Sequence, residues 1–99
     1  MQATLLPSTS NAVLHEATFA YELDAFRRSL RGQTLVSTSR CIDGLLDLYN
    51  VTLDPAARGL IEAALSEVRS TNAVRSEQML RALFEIDQVA LVDHALGKT

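Results

Sequence analysis

The run from Asn72 to Leu96, NAVRSEQMLRALFEIDQVALVDHAL, decides how this chain folds. It holds neither Gly nor Pro, and Leu80, Leu83, Phe84, Ile86, Ala90 and Leu91 recur at helical spacing, which predicts one helix over 73–96. Its second half adds Val89, Val92 and Leu96 on the opposite side, so the helix becomes apolar all round and requires neighbours all round. A chain of 99 residues has few neighbours to give. A second copy of the chain is therefore the expected cover for Phe84, Leu91, Val92 and Leu96, and the protein is expected to be a homodimer.

Upstream, Leu53, Asp54 and Pro55 form the strongest local signal. A capping carboxylate stands directly before a proline, whose missing amide hydrogen costs nothing at the first helical position. A helix over 55–70 is expected, burying Leu60, Ile61, Ala64, Leu65 and Val68 and exposing Arg58 and Glu62 as an i,i+4 pair. Asn72 then stands as the cap of the last helix.

Before it, a helix over 36–50 presents Leu35, Ile42, Leu45 and Tyr49 along one seam, flanked by Cys41, Leu46 and Leu48, with its start blurred by the capping candidates Thr34, Ser37, Thr38 and Ser39. Gly44 interrupts this helix at a cost of about 1 kcal/mol against Ala, which a close helix approach would offset. The first helix is expected over 12–31, from a cap at Ser10 or Asn11 to Gly32, with Phe19, Leu23, Phe26 and Leu30 as its stripe. Strand signals are confined to Thr34–Ser37 and Asn50–Leu53, too short to suggest a sheet, and no internal repeat is visible. The expected architecture is all-α: a small antiparallel bundle of about four helices, dimeric, with residues 1–10 as a flexible lead-in to a single domain over 11–99.

Composition narrows the function. Hydrophobic residues at 47% and charged residues at 21% are ordinary for a globular chain, and the net charge of −3 disfavours a general phosphate-binding surface. A lone cysteine and the lack of a leader-like or membrane-spanning run point to a reducing compartment, and the expected location is cytoplasmic.

Few residues invite chemistry. His15 lies near Glu16 and Glu22 but has no second histidine at i+4, so no metal or other cofactor is expected. Cys41 falls on an apolar face without a base beside it and reads as a small hydrophobe. Asp43 and Asp47 read as a solvated face, and with no phosphate loop or nucleophile motif present, the chain is not expected to be an enzyme.

Two surface readings remain. Asp87 and His94, seven residues apart on the last helix, lie about 10 Å apart along its axis, and a two-fold contact would pair each with the other in a second copy. Arg27, Arg28 and Arg31 gather in the last turn of the first helix, where they complement its macrodipole and offer a docking patch for another protein. The expected function is a small non-catalytic protein–protein interaction module, a homodimeric regulatory or adaptor protein. The alternative is a DNA-associated transcriptional regulator using the same three arginines. No small-molecule substrate or membrane contact is implied.

Overall fold

A computed structural model describes residues 8–97 of the chain, and the side chains of residues 18–90. The fold is all-α, with four helices packed together and one minimal ladder between them. The order is α1 (Ser8–Leu30), β1 (Leu35–Ser37), α2 (Thr38–Val51), α3 (Pro55–Arg69), β2 (Ala73–Arg75) and α4 (Ser76–Gly97). Consecutive helices pack on one another, and α4 returns to touch α1.

Helix α3 follows its local signals. Asp54 caps it by accepting the Ala57 amide at 3.0 Å, and Pro55 opens it. The start of α1 lies at Ser8, earlier than the Ala12 expected from its caps. Helices α2 and α4 both begin later than their spacing predicts, for one reason. Leu35–Ser37 and Ala73–Arg75 are strands, paired antiparallel with Leu35 opposite Arg75, Val36 opposite Val74 and Ser37 opposite Ala73. The expectation of no sheet is corrected here. Each strand is three residues long, and Val36 and Val74 bury their side chains while their neighbours face outward.

The ladder reveals a pseudo-repeat that the letters conceal. A constant offset carries Leu30 to Val68, Val36 to Val74, Cys41 to Met79 and Leu48 to Ile86, and all eight residues are buried. The chain is thus two helix–turn–strand–helix units joined through their strands. Hydroxyls at equivalent positions reach across: Thr38 Oγ1 donates to the Thr71 carbonyl at 2.7 Å, and Ser76 Oγ donates to the Leu30 carbonyl at 2.9 Å. The Ser76 amide also donates to the Thr34 carbonyl at 2.9 Å. The units are held at the turns by these bonds and between the helices by a common apolar core that includes Leu30, Leu45, Leu48, Ile61, Leu83 and Ile86.

Gly44 has a specific task in that core. A Cβ built on it would lie 2.6 Å from the Cε2 and Cζ atoms of Phe26, so its hydrogen lets the α1 ring approach the α2 backbone closely. The second unit solves the same contact with Ala64 and Ala82 at the equivalent positions. Gly32 closes the turn after α1 with φ +76°, a conformation that L side chains rarely adopt.

Candidate interaction surface

Helix α4 is rotated relative to the arc its sequence suggests. Met79, Leu83 and Ile86 face the core, whereas Leu80 and Phe84, one turn apart, point outward at 36% and 56% exposure. An equivalent position on α2 also carries an exposed apolar side chain, Leu46. Phe84, expected to self-associate, is thus exposed in the single chain. The expectations for Leu91, Val92, His94 and Leu96 lie outside the described side chains.

Asp87 does not stand free to meet a second copy. It accepts from the guanidinium of Arg27 at 3.3 Å, tying α4 to α1, with both side chains about one-third exposed. Two residues that the sequence assigned to different surfaces, one for self-association and one for docking, are partners within the chain. Arg28 is likewise held by Asp24 of its own helix at 3.1 Å. Of the expected patch, Arg31 alone has no ion-pair partner among the described residues, and it is exposed.

The expected Arg58 and Glu62 surface pair is also rearranged. Both turn to Tyr49 of α2: the Arg58 guanidinium carbon lies 4.2 Å from the ring centroid, and the Tyr49 hydroxyl donates to Glu62 Oε2 at 2.8 Å. That hydrogen bond to a carboxylate raises the Tyr49 pKa above its ordinary value, since the phenol must give up a proton it shares. Leu35, expected in the α2 seam, is instead 58% exposed on β1, and Cys41 takes a core position with no exposure. Burial pushes the Cys41 thiol up, opposed in part by nearby Arg40, so the thiolate that nucleophilic chemistry needs is disfavoured.

Two crevices occupy equivalent places in the two units. Between α1 and α2, Glu22, Arg40, Asp43 and Asp47 rim a hollow of about 280 Å³ over Phe26 and Gly44. Between α3 and α4, a smaller one of about 60 Å³ is lined by Ala64, Val68, Val74, Met79 and Ala82, among others. The hydroxyls that line them, Ser29 in the first and Thr71 in the second, donate to the backbone carbonyls of Phe26 and Val68. Among the described residues no group of three or more His, Cys, Asp or Glu side chains is placed to hold a metal ion, and no helix is long and apolar enough to cross a membrane.

No protein-family model, curated protein or solved structure matches this chain.

Proposed function

We propose that the protein is a non-catalytic interaction module that works as a homodimer through the outward face of α4, in a regulatory or adaptor role within the cytoplasm. The observation that carries this reading is the pair of apolar side chains Leu80 and Phe84, adjacent on one outward stripe and left in water by a single chain. Covering a side chain of this size contributes about 1.5–3 kcal/mol. Phe84 is 56% exposed, so about half of that remains to be gained, and a two-fold contact uses each residue twice; loss of Phe84 weakens association by about 1.5–3 kcal/mol, or at least about tenfold in Kd. A stable interface needs roughly 800 Å² per partner, and the stripe continues along the sequence of α4 to Leu91 to supply it.

Light scattering on the eluting protein tests the reading. The wild type is expected at twice the 10.8 kDa chain mass, and Phe84→Glu at the chain mass with unchanged helicity. A wild-type protein that stays at the chain mass at high concentration, or a Phe84→Glu protein that stays dimeric, rejects it.

A further inference from the structure

The arginines of this chain divide into two groups. Away from the turns, Arg27 pairs with Asp87, Arg28 with Asp24, Arg81 with Glu77, and Arg58 lies over Tyr49. Arg31, Arg40, Arg69 and Arg75 have no carboxylate or ring partner for their guanidinium groups among the described residues, and all four are exposed. These four share one end of the bundle. Arg31 follows α1, Arg40 is in the first turn of α2, Arg69 ends α3, and Arg75 is in β2.

The two turn segments at this end carry no acid themselves. No Asp or Glu occurs between Asp24 and Asp43, nor between Glu67 and Glu77, although the chain as a whole carries a net charge of −3. The ladder register sets Leu35 directly beside Arg75 on the outer face, with Leu35 58% exposed. An exposed apolar side chain thus lies beside Arg75, at the end that carries three further arginines without an ion pair among the described residues.

We infer that this ladder end is a docking site for an acidic peptide segment of a protein partner, whose carboxylates pair with Arg31, Arg40, Arg69 and Arg75 while an apolar side chain covers Leu35. Arginine forks match carboxylates in two-point geometry, and clusters of them are a recurring means of holding acidic motifs. Two observations favour a peptide over nucleic acid. The end carries no aromatic residue on which a base would stack. An exposed leucine suits an apolar side chain better than a sugar–phosphate edge. The inference extends the interaction-module reading by naming the partner's chemistry, and it does not depend on association through α4.

The test is fluorescence anisotropy with a short labelled glutamate-rich peptide carrying one central leucine, titrated with the whole chain in low salt. A lysine-rich peptide of the same length and a random-sequence DNA duplex serve as rivals, and the titration is repeated on Phe84→Glu so that loss of dimerisation and loss of docking are read separately. Expected are binding of the glutamate peptide that weakens as salt is added and a loss of at least about tenfold on replacing its leucine with serine. The same loss is expected in Arg31→Glu/Arg75→Glu and, with the strands untouched, in Arg31→Gln/Arg69→Gln. The inference is overturned by absence of peptide binding, by unchanged binding in folded variants of either kind, or by a duplex that outcompetes the peptide.

Discussion

Replacing Gly44 with alanine sets two opposed effects against each other, and the structure says which wins. In an unencumbered helix interior the exchange stabilises by about 1 kcal/mol, because alanine loses less backbone entropy. Gly59, in the middle of α3 with nothing within 4 Å of its would-be Cβ, is such a position. At Gly44 the new methyl would lie 2.6 Å from two atoms of the Phe26 ring, whereas carbon atoms rest at about 3.5–4.0 Å. The ring belongs to a residue only 6% exposed, so it must press into its neighbours to withdraw. Overpacking of that kind costs about 1–3 kcal/mol.

The expected result is that Gly59→Ala gains about 1 kcal/mol while Gly44→Ala loses about 1 kcal/mol, a difference of several degrees in Tm for a domain of this size. Urea unfolding followed by far-ultraviolet circular dichroism measures both. In a Phe26→Leu background, where the ring is gone, Gly44→Ala should revert to neutral or stabilising, a coupling that two distant substitutions would not show. If Gly44→Ala stabilises as much as Gly59→Ala, the ring does not lie on the α2 backbone and the described packing of α1 is wrong.

Other perturbations follow from single contacts. Gly32→Ala meets no steric neighbour but inherits φ +76°, so a loss of about 1–2 kcal/mol in urea melts is expected from backbone strain alone, with Gly32→Asn losing less. Asp54→Ala removes the α3 cap and should cost about 1 kcal/mol, whereas Asp54→Asn retains most of the stability; equal melts for all three proteins would show the cap to be idle. Cys41 and Tyr49 both have pKa values raised in the folded state, Cys41 chiefly by burial and Tyr49 chiefly by its bond to Glu62. Their stabilisation is complete below the ordinary thiol and phenol values of 9.0 and 10.0 and is lost as pH rises through the folded-state values, so melts should fall on the alkaline side. In Glu62→Gln, ultraviolet titration should find Tyr49 ionising at lower pH than in the parent protein; no change would sever the link to Glu62.

Legibility varied with how local each determinant is. Asp54 and Pro55 act within one turn, and α3 was readable to within a residue of its end. The phase of α4 was not, because Met79, Leu80, Leu83, Phe84 and Ile86 are all apolar and only the facing helices select which of them turn inward. The strands have no autonomous signal. Three residues cannot hold a strand alone, and Val36 and Val74 adopt one through pairing with each other across the chain. The pseudo-repeat is equally hidden, since Cys41 answers Met79 and Phe26 answers Ala64: burial is matched across the units, and identity and volume are not.

At the candidate surface, the exposed Phe84 was named from its sequence, whereas the ion pairs of Arg27 and Arg28 were not. Helix-end position alone does not distinguish Arg28, held by Asp24, from Arg31, which has no ion-pair partner among the described residues. Arg27 finds its partner Asp87 sixty residues away, a distance no spacing rule spans. Unpartnered charge is a property of the folded arrangement, and Arg40, Arg69 and Arg75 joined Arg31 only when the two turns met.

The most direct test of the α4 association is solvent access to Phe84 itself. The chain has three phenylalanines, Phe19, Phe26 and Phe84, so uniform 4-fluorophenylalanine labelling yields three fluorine resonances, assigned by single replacement with leucine. A soluble nitroxide should broaden the Phe84 resonance in dilute solution and lose that effect as protein concentration rises through the dimer Kd, while Phe26 stays protected throughout. A Phe84 resonance that the nitroxide broadens equally at every concentration would contradict the proposed dimer.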